Sequence, residues 1–286
     1  MDIFLELLIG IILISVTLSI PGNYLVLRGN TLTSYALSHS ILFGIMVAYL
    51  IIGDLDSPLL LIGAALTGLF IVWVVENLSK LKYVNNDAAL GLIYLFIFAL
   101  GIILVSLYAS GTTISVTSVI TGNIALIPFD RLSLYGMDMG PTLLWQTAIV
   151  FIASTGFLVI FRKEMKLVTF DPEFSILMGY NPSLLLLIFM SIVSIAIVTV
   201  FRAAGVILVV GLMIIPPASA RLLSTSLTTM IVLSTVISVL SGVLGFIIAW
   251  RLQNVEIASM VIIVNAVVFI VAFFFQSASQ DGTEKL

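Results

Sequence analysis

The chain has 286 residues, of which 61% are hydrophobic and only 9% are charged. Soluble domains are roughly a quarter charged, so this composition excludes a soluble protein and predicts one polytopic membrane domain over residues 1–286. The net charge of −3 argues against a nucleic-acid partner, and the absence of cysteine excludes disulfide bonds and thiolate metal sites.

Long apolar runs predict an all-α protein, since a membrane-spanning helix needs about 20 largely apolar residues. In chain order the predicted spans are Ile3–Leu27, a second that begins within 30–36 and ends near Gly53, and then 58–78, 88–107, 141–161, 184–202, 228–250 and 256–275. The first residues, MDIFLELL, lack the basic region of a cleaved signal peptide, so they are interpreted as the start of the first span.

Two segments leave the architecture open. Residues 205–217 are apolar but short and end at Pro216 and Pro217, so they form either a broken or tilted span completed by 218–223 or a re-entrant segment. The chain therefore has about nine spans, or eight. Residues 110–140 are moderately apolar but interrupted, and fit a surface helix pair, a partly inserted loop or an ordinary external loop.

The basic residues predict the orientation, because they are enriched in cytoplasmic loops. With nine spans and a cytoplasmic segment 162–182, the N-terminus lies outside and the C-terminus inside; with eight, the C-terminus moves outside. For nine spans the basic residues divide eight to three, the inner set being Arg28, Lys80, Lys82, Arg162, Lys163, Lys166, Arg221 and Lys285 and the outer set Arg131, Arg202 and Arg251.

The polar segment 162–182, RKEMKLVTFDPEFSILMGYNP, lies between two long apolar runs and predicts a short helix with both ends marked. Asp171 is a typical N-cap and Pro172 fits the first helical position, where no N–H is needed. Gly179 favours the left-handed conformation that ends a helix.

This short helix is also predicted to be amphipathic. Apolar residues recur at helical spacing and form one face: Phe170, Phe174, Leu177 and Met178. On the basic side of a membrane protein, such a helix either docks on a soluble partner or lies in the lipid headgroups.

His39 is the only histidine, and it lies inside the second predicted span between Ser38 and Ser40, with Tyr35 one turn earlier on the same face. An ionisable group within a span costs about 2.5–3.5 kcal/mol on insertion scales, so its presence calls for a reason. Neutral imidazole binds transition metals, but one histidine binds no metal selectively without carboxylates or a second copy from a dimer partner. The alternative is a histidine hydrogen-bonded between helices.

Other polar and small residues in the spans predict helix packing. Asn265 is expected to bridge helices, and Gly242 and Gly245, with Ser241, favour close helix contact. The sequence has no G-x-x-x-x-G-K-[ST] loop and no H-E-x-x-H motif, so the chain is not expected to be an enzyme. Energy for uphill transport would come from an ion gradient or from another subunit.

Three stretches together resemble the permease subunit of manganese/zinc/iron ABC importers, the ABC-3 family. They are LVLR at 25–28 followed by ALSHS at 36–40, FDPEF at 170–174 continuing through GYN at 179–181, and AGVILVV at 204–210 continuing through Pro216 to ARLL at 220–223. Their order, their spacing and the total length agree with the family over nearly the whole chain.

The resemblance implies a permease dimer, formed with a second copy or with a related permease, in the cell membrane of a prokaryote. An extracytoplasmic binding protein would deliver the metal, which is transported rather than held as a cofactor. A cytoplasmic coupling helix at 170–181 would dock on a separate ATP-binding cassette ATPase. The coupling residues carried over are Phe170, Asp171, Pro172, Glu173, Phe174, Leu177 and Gly179.

His39 is carried over from the family as the metal-facing residue, with Ser38 and Tyr35 as pore-facing neighbours. The family commonly has an acidic residue four positions before this histidine, in a pattern like D-A-L-S-H, whereas this chain has Tyr35. A tyrosine does not supply the charge of a carboxylate. Either the chain pairs with a related permease that keeps the carboxylate, or its substrate or ion path differs from the family norm.

Two other classes of function fit the sequence less well. A gradient-driven secondary transporter predicts several intramembrane carboxylates and discontinuous helices in both halves, and only the short span near Pro216 fits. A membrane scaffold without transport activity would leave the capped helix at 170–181 unexplained.

Overall fold

The computed structural model describes residues 3–53, 59–79, 86–108, 122, 124–134, 137–252 and 254–283. In chain order the helices are α1 (Ile3–Leu27), α2 (Thr31–Ile52), α3 (Leu59–Ser79), α4 (Asn86–Tyr108), α5 (Thr142–Ile160), α6 (Arg162–Phe170), α7 (Pro172–Leu177), α8 (Pro182–Leu223), α9 (Leu227–Leu252) and α10 (Ile257–Thr283). A short 3₁₀ helix, Ile124–Phe129, and a two-stranded antiparallel hairpin, β1 (Arg131–Leu134) and β2 (Met137–Pro141), lie between α4 and α5.

The described helices confirm an all-α polytopic membrane protein. Eight helical segments within the described ranges are long and apolar enough to cross a membrane: Ile3–Leu27, Thr31–Ile52, Leu90–Tyr108, Thr142–Ile160, Pro182–Phe201, Ala203–Leu223, Leu227–Leu252 and Ile257–Ser277. Helix α3 contributes a further apolar stretch, Ile62–Val75.

Helix α8 turns back on itself at Gly205, whose backbone has φ 68° and ψ 174°. The ring of Tyr24 in α1 packs against Phe189 before the break, with ring centroids 5.9 Å apart, and Gly22 in α1 touches the carbonyl of Met213 after it. Since both halves meet the same level of α1, the chain crosses the bundle and returns. The segment after Gly205 is thus a return crossing, which favours nine spans over eight.

The two ends of the bundle differ in charge. One end, the basic face, gathers Arg28, Arg162, Lys163, Lys166 and Arg221, which lie at the C-terminal ends of α1 and α8 and in α6. Of the other residues used to predict orientation, Lys80, Lys82 and Lys285 lie outside the described residues, and Arg202 is described by its backbone alone.

The opposite face holds the start of α1, the 3₁₀ helix and the β-hairpin. The guanidinium of Arg131 pairs with the buried carboxylate of Glu6 at 3.1 Å and with Asp138 at 2.8 Å, which fixes the hairpin over α1. The backbone N–H of Gly140 and the Arg131 guanidinium lower the pKa of the Asp138 carboxyl. Within the segment 110–140, residues 110–121, 123, 135 and 136 lie outside the described residues; apart from Gly122 and Asp130, the remainder forms this 3₁₀ helix and hairpin.

Close packing at Gly242 and Gly245 is confirmed. A Cβ atom at Gly242 would lie 2.7 Å from the Ser15 hydroxyl oxygen of α1, and one at Gly245 would lie 2.5 Å from Cα of Val261 in α10. Only glycine permits these distances, because any side chain would force the helices apart.

The predicted bridge from Asn265 is wrong, since its side-chain amide donates to the Val261 carbonyl of its own helix at 2.9 Å. An asparagine bridge between helices is made instead by Asn23 of α1, whose amide donates to the Ser234 hydroxyl of α9 at 2.7 Å. A buried amide needs a hydrogen-bond partner, but a carbonyl of its own helix serves as well as a group on a neighbouring helix, so the sequence alone does not distinguish the two.

Candidate functional site

Helix α7 has both of its predicted caps. The Asp171 carboxylate accepts a hydrogen bond from the N–H of Phe174 at 2.9 Å, and Pro172 occupies the first turn. At the other end Gly179 has φ 85°, its N–H donates to Ile176 at 2.9 Å, and the N–H of Tyr180 donates to Ser175 at 3.0 Å. This pair of bonds is a Schellman motif, so a helix of six residues is fixed at both ends without help from its neighbours.

The apolar side chains of α7 and its flanks are exposed. Leu177 is 81% exposed and Phe174 46% exposed, and Phe170 and Met178 are also exposed. Ile176, which the pattern did not include, is exposed as well. Asp171, Pro172 and Glu173 are exposed as well, whereas Ser175 is buried and its hydroxyl donates to the Pro172 carbonyl at 2.6 Å. Exposed apolar clusters of this kind mark interaction surfaces.

The basic residues that precede α7 form a helix of their own, α6, which sequence reasoning missed. Met165 and Val168 are fully buried on one side of α6, and Lys163 and Lys166 are exposed on the other. The i, i+3 spacing of these two apolar residues was the available signal, but the high density of charge suggested a polar connection.

Two arginines attach α6 to the bundle. The Arg28 Nη1 atom donates to the Val168 carbonyl at 3.0 Å, and the Arg162 Nη2 atom donates to the Thr228 hydroxyl at the start of α9 at 2.7 Å. Burial lowers the pKa of the Arg28 guanidinium. Helix α7 is therefore carried on a support that is bonded to both α1 and α9.

His39 and Tyr35 lie on one face of α2, as predicted, with ring centroids 4.1 Å apart. The imidazole Nδ1 lies 3.1 Å from the Tyr35 carbonyl oxygen. Since a carbonyl only accepts, Nδ1 carries a proton in this contact, and in the neutral ring the lone pair then lies on Nε2. A neutral imidazole oriented in this way is suited to metal ligation.

The surroundings of His39 are aromatic. Phe98 of α4 lies 5.2 Å from the imidazole, and Tyr94 of α4 lies 5.4 Å from the Tyr35 ring, centroid to centroid. Ser38 is fully buried, and its hydroxyl donates to the Ser34 carbonyl at 2.8 Å. Among the residues that the structure describes, no group of three or more His, Cys, Asp or Glu side chains could hold a metal ion.

An apolar helical bundle that presents a capped, exposed helix on its basic face defines a class: a polytopic membrane protein with an exposed apolar surface at one end. The chain belongs to the ABC 3 transport family, whose model matches residues 1–276.

Individual relatives agree with this family. The chain is 35% identical over 275 residues to the manganese transport system membrane protein MntD of Bacillus subtilis, covering 96% of this chain and 92% of the relative. It is 35% identical over 271 residues to the zinc transport system membrane protein TroD of Treponema pallidum, covering 95% and 73%. Among solved structures it resembles PsaBC from Streptococcus pneumoniae in complex with Fab, with a TM-score of 0.78, 27% identity and coverage of 96% and 91%.

The chain is therefore the membrane-spanning permease subunit of an ATP-driven importer, and ATP hydrolysis belongs to a separate subunit. This assignment replaces the gradient-driven transporter and the scaffold considered from the sequence.

Proposed function

We propose that the chain forms the translocation path for a divalent transition metal, manganese or zinc, with iron as the next candidate. The observation that carries this proposal is that two relatives, each 35% identical over most of this chain, are named for manganese and zinc transport. The metal is the transported substrate, and the proposal requires no cofactor bound by this chain.

The proposed orientation places the basic face in the cytoplasm of a prokaryotic cell, because basic residues are retained on the inner side. Nine crossings then put the N-terminus outside and the C-terminus inside. Helix α7 docks on the ATP-binding cassette ATPase, and an extracytoplasmic metal-binding protein delivers its ion to the opposite face. A second permease, identical or related, completes the dimer.

His39 is proposed as a ligand for the metal in transit, through Nε2. The half-buried imidazole is held by the Tyr35 carbonyl and the α4 aromatics, and such a fixed orientation suits a transient ligand. Tyr35 adds no carboxylate, so further ligands would come from the partner permease, which favours pairing with a chain that keeps the acidic residue.

The proposed substrate is tested with the purified permease–ATPase complex in proteoliposomes, by measuring uptake of radioactive manganese and zinc in the presence and absence of ATP. We expect uptake of at least one of these metals to require ATP and to be insensitive to an imposed proton or sodium gradient. Uptake driven by a gradient without ATP, or ATP hydrolysis that moves neither these metals nor iron, would contradict the proposal.

His39→Ala is expected to lower metal uptake by at least about tenfold, since changes around a metal ligand weaken metal affinity by about 10–100-fold. The matched control is Ser40→Ala, because Ser40 is buried beside His39 and its hydroxyl donates to the Ala36 carbonyl of the same helix. Initial rates over a range of metal concentrations provide the measurement. Unchanged uptake by the His39 variant would show that His39 has a structural role and is not a metal ligand.

A further inference from the structure

Arg28 connects the C-terminal end of α1 to the segment that carries α7. Its Nη1 donates to the Val168 carbonyl at 3.0 Å in a partly buried contact. The Met165 and Val168 side chains beside this carbonyl are fully buried. A charge-assisted hydrogen bond with little access to water is stronger than the same bond at an exposed surface.

Helices α6 and α7 are joined closely enough to move as one unit. Only Asp171 separates them, and its N–H donates to Leu167 of α6 at 2.8 Å while its side chain caps α7. A displacement of α7 therefore moves the Val168 carbonyl with it, because these bonds leave no flexible linker between the two helices.

Helix α1 is in turn fixed to both halves of α8. Arg221 near the end of α8 donates from Nη1 to the Val26 carbonyl at 3.2 Å, Tyr24 packs on Phe189, and Gly22 touches the Met213 carbonyl. These contacts occupy the last two turns of α1, directly before Arg28. Movement of that end of α1 is thus passed to α8 and along it toward Gly205.

We propose that Arg28 is a positioning residue that transmits the movement of α7 to the α1–α8 pair during transport, a role that rests on the proposed docking of α7 on the ATPase. The second arginine is less suited to this role. Arg162 bonds Thr228 in an exposed contact, and exposed polar contacts of this kind are screened by water and salt.

The test is Arg28→Met in the permease–ATPase complex, since methionine keeps the length of the apolar stem and removes the donor. We expect co-purification with the ATPase and the rate of ATP hydrolysis to stay within about twofold of the unmodified complex. Metal transported per ATP hydrolysed is expected to fall about tenfold. This is the effect expected when one charge-assisted hydrogen bond between two coupled elements is lost. Arg28→Lys, which keeps a cationic donor, is expected to recover part of this ratio.

Lys166→Met is the matched control, because Lys166 is exposed on α6 and has no hydrogen bond or ion pair with any residue described here. We expect this control to transport as much metal per ATP as the unmodified complex.

An unchanged ratio in Arg28→Met would overturn the proposal. So would failure of both Arg28 variants to assemble, because the bond would then be required for folding rather than for transmission. Failure of docking itself is distinguishable, since it would remove co-purification with the ATPase rather than the ratio of metal to ATP.

Discussion

Phe174→Asp is expected to abolish association with the ATPase while the permease still inserts into the membrane. Phe174 is an exposed aromatic ring in the middle of the apolar face of α7. Losing an aromatic anchor at the centre of an interface costs roughly 2 kcal/mol or more, and a carboxylate placed there would be desolvated without a partner. Co-purification of the ATPase with a tagged permease provides the measurement.

The fold of α7 should survive this substitution, because its cap uses the backbone N–H of Phe174 and not the ring. Phe174→Leu is the control, since it keeps an apolar side chain at the same place and should retain association. Normal recovery of the ATPase with Phe174→Asp would show that α7 is not the docking site.

Gly22→Val is expected to lower the stability of the protein strongly. A Cβ atom at Gly22 would collide with the Met213 carbonyl oxygen and lie 3.1 Å from the Pro217 ring. A backbone oxygen cannot avoid the clash by changing rotamer as a side chain can, so α1 and α8 would have to separate. Overpacking a core typically costs about 1–3 kcal/mol, and more where the backbone itself must shift.

The matched control is Gly156→Val in α5, where an added Cβ meets no atom within 4 Å. Thermal unfolding of the detergent-solubilised proteins, followed by fluorescence and size-exclusion chromatography, provides the comparison. Equal midpoints for the two variants would show that the contact between α1 and α8 is less tight than the structure has it.

The parts of the fold that local chemistry decides could be predicted from the sequence. Asp171, Pro172 and Gly179 mark the ends of α7 because each satisfies or removes a particular backbone group there. Long apolar runs similarly identified the spans, since lipid leaves few alternatives to a helix.

Features that depend on packing between distant segments could not be predicted. The spans are apolar on every side, so periodicity does not show that Phe98 and Tyr94 of α4 lie beside His39. The break near Gly205 was predicted, but Pro216 and Pro217 left open whether the next segment is a span completed by 218–223 or a re-entrant segment; the helix continues through both prolines to Leu223. The ligands that would accompany His39 cannot be predicted from this chain if a partner supplies them.

The reversal at Gly205 lies among buried residues, with Ala204 and Val206 on either side. A break in a helix leaves peptide groups without partners in the helix, and hydrocarbon offers them none. Gly122 packs directly against the Gly205 nitrogen, so this glycine covers one side of the break. For protein engineering, an epitope or fluorescent reporter inserted between Gly122 and Arg131 is expected to displace Gly122 and uncover the bend, although the sequence of this stretch fits an ordinary loop.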